Sequence, residues 1–430
     1  MNLRYRLRML PVLIGITVVL AACFGSPGTQ GPNKSVPDDA PSPEDTRQFP
    51  GEESASEPEP AEPAPEPPEP KVLQARLVAV GDIMMHSPQI PAAYDVTTDT
   101  YSFHSYFDQV KPLLEGDWVF ANLETPLAGE ELGGYSGYPL FNAPEELADA
   151  LREAGFNVLS TANNHSLDRW ERGLLNTLAN LKARGLIPVG TSESAEAAET
   201  ITLVEKNGIS MAFLAYTYGT NGIPIPEGKD YLVNLIDEAK IKADIVRARE
   251  QADVVTVSLH FGVEYQRQPN EEQKSLARSL VASGADIILG SHPHVVQPFE
   301  IIETVSDDGT PRQGIVIYSL GNFISNQGPD QGTAKYTDVG VIFSVNVTKR
   351  LPEGTVELKV EEPVPTWVHK SYANGKRQYR ILPIEAALAA KNDPSLNDSH
   401  YAMLTAYLEE MDEHLHSMAV PAAIEKDTQP

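Results

Sequence analysis

The chain reads as an α/β domain built in layers, with a mixed sheet or two sheets face to face rather than one doubly wound sheet. Three observations predict this. From about Gln74 to Leu289, short apolar runs alternate with segments of helical periodicity. From residue 298 the runs are strand-like, separated by turns, with no long helix before Pro383. Six of the apolar runs end in a polar cluster, as strands do in open α/β folds where they build a site.

The chain has 430 residues, enough for one large domain or two smaller ones. It opens with Arg4, Arg6 and Arg8, an apolar stretch from Met9 to Val19, and Leu20-Ala21-Ala22-Cys23. This is an export signal with a small-residue cleavage site just before a cysteine. It resembles a bacterial lipoprotein signal, which implies lipidation of Cys23 and anchoring at the outer side of the cell membrane. An ordinary signal peptide or an uncleaved anchor helix is the alternative. Cys23 is the chain's single cysteine, so it has no internal disulfide partner.

Residues 35–70 hold eleven prolines, eleven acids and one basic residue, Arg47. Such a stretch cannot bury a core and reads as an extended, disordered spacer. The sequence thus divides into a signal (1–22), Cys23 with its linker (23–70), a folded domain (71–383) and a C-terminal helical segment with a tail (384–430). Net charge is −27, or −30 once the three arginines of residues 1–22 are removed. That surface repels nucleic acid and excludes it as a partner. It would also repel a polyanionic product, although solubility alone explains it.

Within the folded part, Ala75–Val80 reads as a buried strand ending in Gly81-Asp82. Residues 106–114 look helical, and Trp118–Ala121 is a strand ending in Asn122-Leu123-Glu124. Glu145–Ala154 is a helix, and Val158–Thr161 is a strand followed by Ala162-Asn163-Asn164-His165. Glu171–Arg184 is a helix closed by Gly185, then come strands at 187–189, 202–206 and 209–216. Asn207-Gly208 is a hairpin turn between the last two. Ile236–Gln251 is a helix, and Val254–Leu259 is a strand ending in His260-Phe261-Gly262. Asn270–Ser283 is a helix closed by Gly284, and strand 287–289 runs into Gly290-Ser291-His292-Pro293-His294. Strands follow at 298–303, 314–319, 338–348 and 355–362, with Asp307-Asp308-Gly309 a hairpin turn. Two helical segments flank Asp393-Pro394.

The strand ends supply Asp82 and His86, Asn122 and Glu124, Asn163, Asn164 and His165, His260, His292 and His294, and Asn322. Carboxylates, imidazoles and amide oxygens form a mixed nitrogen and oxygen set that suits Zn, Mn or Fe better than Ca. There are enough groups for two metals that share a carboxylate. Each cluster alone has a plainer reading: a turn cap at Asp82, turn residues at Asn163-Asn164, a satisfied core histidine at His260. Five of the ten histidines follow apolar runs, which favours the joint reading. His104 falls in a loop, and His369, His400, His414 and His416 read as ordinary surface residues.

In order, Val80-Gly81-Asp82 with His86, Asn122-Leu123-Glu124, Ala162 to Asp168, His260 to Tyr265, Gly290 to His294 and Ser319-Leu320-Gly321-Asn322-Phe323 resemble the signature of the CapA family. These are capsule-synthesis proteins, including poly-γ-glutamate accessory proteins. The resemblance spans about 75 to 330 and is similar in fold to calcineurin-like metallophosphoesterases. It implies a four-layer αββα sandwich and roles for the site. Asp82 would bridge two divalent metals, with His86 completing one side. Glu124 stands where a second bridging Asp is usual. Asn164, His260 and His292 would bind the second metal, and His294 would return to the first. His165 would protonate a leaving group. Asn122, Asn163 and Asn322 line the site. Two departures stand out: three residues separate Asp82 from His86 where those enzymes have one, and Glu replaces Asp at 124.

The resemblance implies a surface-anchored protein acting in synthesis, export or anchoring of an anionic capsule polymer such as poly-γ-glutamate, with polymer-synthase membrane proteins as partners. Two alternatives are an extracellular metal-dependent hydrolase acting on phosphoesters or amides, and a non-catalytic scaffold of a polymer-synthesis complex.

Overall fold

The computed structural model describes residues 69–306, 309–373 and 375–419. The signal-like segment, Cys23, the linker to residue 68 and the first two residues of the turn expected at Asp307-Asp308-Gly309 lie outside them. Among the described residues no helix is long and apolar enough to cross a membrane.

The chain first runs through β1 (Lys71–Ile83), α1 (Gln89–Ala93) and a small hairpin of β2 (Tyr94–Asp95) and β3 (Thr100–Tyr101). Then come β4 (Trp118–Leu123), α2 (Glu146–Ala154), β5 (Val158–Ser160), α3 (Trp170–Ala183), β6 (Ile187–Val189), α4 (Ala195–Ala198), β7 (Thr202–Lys206) and β8 (Ile209–Thr217). Next are α5 (Glu238–Arg249), β9 (Val254–His260), α6 (Glu271–Ala282) and β10 (Ile287–Ser291). The last part holds β11 (Val296–Val305), β12 (Pro311–Leu320), β13 (Asn322–Ile324), β14 (Val339–Leu351), β15 (Thr355–Val360), β16 (Val364–Ala373), β17 (Lys376–Pro383), α7 (Ile384–Ala390) and α8 (Asp398–Leu415).

Two large sheets result. The first has the order β17-β16-β14-β1-β4-β5-β6, with β13 beside β1 and β15 beside β14. The second has the order β11-β12-β10-β9-β8-β7. Both are mixed: β1, β4, β5 and β6 run parallel while β14 runs antiparallel to β1, and β8, β9, β10 and β12 run parallel between antiparallel β7 and β11.

Alternation along each strand explains the layers. Leu77, Ala79, Trp118 and Phe120 of the first sheet share one core with Phe213, Ala215, Ile287, Leu289, Ile315 and Ile317 of the second. The intervening Val78, Val80, Val119 and Ala121 face the other way, onto Leu147 and Leu151 of α2 and Phe107. Ala212, Leu214, Val257, Ile288 and Val316 turn outward onto Ile241 and Ile245 of α5 and Leu280 of α6. Strands buried on both faces are apolar at most positions, which is why they read as near-continuous runs. Helix, sheet, sheet, helix is the four-layer sandwich expected. α8 adds Leu404, Tyr407, Met411 and Leu415 to the core between the sheets.

Local signals place the helices well. Asn270 and Gln273 form a capping box on α6, Asp237 caps α5, and Gly155 ends α2 in the left-handed region. Asn207 and Gly208 both have positive φ, at 53° and 77°, as a two-residue hairpin turn needs. Three expectations need correction. Residues 106–114 form no helix but short 3₁₀ turns at His104–Tyr106 and Lys111–Leu113, because Pro112 lacks the amide a continuous helix would use there. The strand hairpin β16–β17 was not evident among the basic residues of 364–383. His369 and His414 are not surface residues: His369 is buried beside Trp367, and His414 is buried with Nε2 donating to the Val296 carbonyl at 3.0 Å.

Candidate metal centre

The two sheets meet at one point. β12 belongs to the second sheet, yet after Gly321 the chain crosses to the first, where β13 pairs with β1. The Asp82 amide donates to the Gly321 carbonyl at 2.9 Å. That approach requires a bare α-carbon at Gly81, where a Cβ would lie 1.8 Å from the Gly321 oxygen. Gly290 does the same against Tyr318, with a Cβ 1.9 Å from its carbonyl oxygen. The glycines before Asp82 and before Ser291-His292 let the crossing segment press against both strand exits.

Around this crossing the sequence clusters converge. The first sheet supplies Asp82, Asn122, Glu124, Asn163, Asn164 and His165, and the second supplies His260, His292 and His294; all are buried. Asn122 Nδ2 donates to Asp82 Oδ1 at 2.8 Å and lies 3.4 Å from Glu124 Oε2. Asp82 Oδ2 is 3.1 Å from His294 Nδ1, and Asn322 Oδ1 is 3.2 Å from the same nitrogen. His260 Nε2 lies 2.8 Å from Asn164 Oδ1 and 3.5 Å from Glu124 Oε1. Asn163 Nδ2 donates to the Leu123 carbonyl at 2.8 Å, tying the third cluster to the second.

Two donor groups emerge, Asp82 with Glu124 and His294, and Glu124 with His260 and His292, each with its ligand atoms within 4.8 Å of one another. Glu124 belongs to both. Asp82 belongs to one of them. Two buried atoms at the heart of this cluster, Glu124 Oε1 and His292 Nδ1, have no hydrogen-bond partner among the described residues. Burying such atoms unpaired is costly, and a cation between them removes the cost. The donor set therefore fits divalent metal.

Electrostatics agree. Burial, with His260 and His294 nearby, pushes His292 down to about 2. Burial also pushes His260 down to about 3 against the pull of Asp82. Both shifts favour the neutral ring, the form in which an imidazole nitrogen can take a cation. Burial and the Asp82 charge push Glu124 up to about 8. Burial lowers His294, but the Glu124 charge and the Asp82 hydrogen bond outweigh it and lift the ring to about 9. Asp82, raised by burial, is brought below the ordinary carboxylate range by His294.

His165 sits apart from the donor groups. Its Nδ1 donates to Asp168 Oδ2 at 2.7 Å, and its Nε2 lies 3.5 Å from Asn221 Nδ2. Phe141, whose amide donates to the same Asp168 oxygen at 2.7 Å, packs edge-on against the His165 ring. Asp168 thus fixes the ring and leaves Nε2 as the atom presented. His86 lies close enough to His294 and His165 to feel their charge, but it joins neither donor group; its Nδ1 accepts the Asn326 amide at 3.3 Å, and its ring packs on Phe141 at 5.2 Å. Asp168, Asn221, Phe141 and Tyr218, which stacks on His260 and touches His292, escaped sequence reasoning. Asp168, three residues after His165, was the one with a local signal.

Comparison with known proteins gives a consistent result. The chain is 34% identical over 344 residues to capsule biosynthesis protein CapA of Bacillus anthracis, covering 74% of this chain and 76% of that one. It is 32% identical over 328 residues to PGA biosynthesis protein CapA of Bacillus subtilis, covering 73% and 78%. Among solved structures, the NAD nucleotidase NadN of Haemophilus influenzae aligns with a TM-score of 0.44 at 13% identity, over 80% of this chain and 61% of that one. Residues 76–327, more than half of the chain, match the family described as bacterial capsule synthesis protein PGA_cap, and the chain belongs to that family.

Proposed function

We propose that this chain is a surface-anchored protein acting in the synthesis, export or anchoring of an anionic capsule polymer such as poly-γ-glutamate, through a two-metal site. The observation that carries the metal reading is the pair of donor groups sharing Glu124, with Glu124 Oε1 and His292 Nδ1 buried and unpartnered among the described residues. The capsule role is supported by family membership and by the relatives' names. Anchoring through a lipidated Cys23 and partnership with polymer-synthase membrane proteins are parts of the same proposal, motivated by the sequence of residues 1–23.

In this reading Asp82, Glu124 and His294 hold one divalent metal, Mn, Zn or Fe, and Glu124, Asn164, His260 and His292 hold the other. The metals supply Lewis acidity toward a phosphoryl or carbonyl oxygen. Asn122 holds Asp82 and Glu124 in register, and Asn322 holds His294. His165, aimed by Asp168, holds a proton at Nε2 and passes it to the leaving group. That buried pair favours hydrolysis of a phosphoester or amide within the capsule role over a non-catalytic scaffold.

The test is genetic and chemical together. A strain lacking the gene is complemented with wild type, Glu124→Gln or His165→Ala, and surface polymer is quantified under capsule-inducing conditions. The reading expects wild type alone to restore polymer amount or length. Unchanged polymer in the deletion strain refutes the capsule role. Full rescue by both variants refutes the working site and leaves the scaffold.

A further inference from the structure

The loop after β9 is stapled to the histidine loop after β10. The Phe261 amide donates to the Ser291 carbonyl at 3.1 Å, the Tyr265 amide to the Pro293 carbonyl at 2.8 Å, and Gln297 Nε2 to the Gln266 carbonyl at 2.8 Å. Three non-glycine residues here have positive φ: Tyr265 at 66°, His292 at 100° and His294 at 57°. Such backbone costs free energy and persists only where its surroundings dictate it. The staple has one evident product. It brings a Glu264 carboxylate oxygen and one ring nitrogen from each of His292 and His294 within 4.8 Å of one another.

Glu264 is exposed, whereas Glu124 is fully buried, so the two carboxylates approach the histidines from solvent and from the core. His292 and His294 belong to different Glu124-containing donor groups, and Glu264 forms a group with both of them. His292 Nδ1, in a residue only 5% exposed, has no hydrogen-bond partner among the described residues. His86 meanwhile is occupied with Asn326 and Phe141.

We propose that Glu264 is the third carboxylate of this metal centre, supplying from the solvent side the ligand that His86 does not. The proposal rests on the two-metal reading and deepens it. Asp82, Glu124 and Glu264 together offset most of the charge of two divalent cations, which weakens the centre's hold on an anionic polymer. A substrate reaching the metals must also displace or share the Glu264 oxygen, so this residue gates access.

The experiment uses the full chain, purified and titrated with Mn2+ alone, as wild type, Glu264→Gln and His86→Gln. Affinity and stoichiometry come from competition with a fluorescent chelator, and the manganese environment from electron paramagnetic resonance. The expected result is an affinity loss of at least ~10-fold in Glu264→Gln with an altered spectrum, and wild-type behaviour in His86→Gln. Metal-free unfolding midpoints of wild type and Glu264→Gln should coincide, because the side chain is exposed. Wild-type binding in Glu264→Gln, or a loss confined to His86→Gln, overturns the inference and leaves the two-metal reading standing. A wild-type chain that takes up no Mn2+, and none of Zn2+ or Fe2+ when the titration is repeated with each, overturns both.

Discussion

Replacing Gly290 by alanine tests whether the strand exits are built around bare glycines. The added Cβ would lie 1.9 Å from the Tyr318 oxygen and 2.4 Å from its carbon, where ordinary contacts begin near 3.4 Å. β10 and β12 must therefore part locally by 3.4 − 1.9, about 1.5 Å. The parallel ladder pairs Leu289 with Ile317 next to this point, so bonds of ordinary length stretch beyond reach. Losing about two of them at ~1 kcal/mol each and overpacking at ~1–3 kcal/mol gives about 3–5 kcal/mol. That is a large part of a domain's stability. The same displacement carries His292 and His294 with it, so metal binding should fall as well. The assay is urea unfolding of the metal-free chain, followed by metal content after loading. Gly219→Ala is the control, since a Cβ there meets nothing within 4 Å; it should stay within ~0.5 kcal/mol of wild type. A Gly290→Ala chain with wild-type stability and full metal would refute the close-approach argument.

Three other outcomes are expected. Glu124→Gln should lose metal at both positions and Asp82→Asn at one, read as metal per chain by elemental analysis, because Glu124 alone joins both groups; equal losses would contradict the assignment of the shared carboxylate. Acid should weaken the fold through His369, which burial and then Arg380 push from 6.5 to about 4. Its neutral form is the one the fold favours, so its contribution is complete above pH 6.5 and is lost as pH falls through 4, a span of 6.5 − 4 worth about 3 kcal/mol. Urea midpoints at pH 7 and pH 4 should converge in His369→Asn relative to wild type, and an unchanged difference would refute this. Met411→Ala, in the core between the sheets, should cost about 2–4 kcal/mol, and a loss below ~1 kcal/mol would show that α8 seals nothing.

The strands were legible because burial on both faces leaves few polar positions inside them, so Leu77 to Val80 and Ile287 to Leu289 read as unbroken apolar runs. Their polar ends were legible for the converse reason. Relations across the chain were not. Nothing in the spacing of Asp82 and His86 reveals that Asn326, 240 residues on, occupies the His86 ring. Glu264 lay within a recognised stretch, but its approach to His292 and His294 depends on the hydrogen bond from Tyr265 to Pro293. His369 looked like a surface residue because the segment that covers it, around Ser395 and His400, comes later in the chain. Each miss is a tertiary contact acting on a residue whose local sequence is unremarkable.

The crossing at Gly321 has a consequence for when the chain can select its metal. The first sheet brings Asp82 and Glu124 and the second brings His260, His292 and His294, so neither sheet alone completes a donor group that contains Glu124. The halves are locked together by β13 and β14, drawn from residues 322–351, long after Asp82 has left the ribosome. Under the two-metal proposal, an ion that needs Glu124 together with His260 and His292, or with Asp82 and His294, is selected only once both sheets are in place.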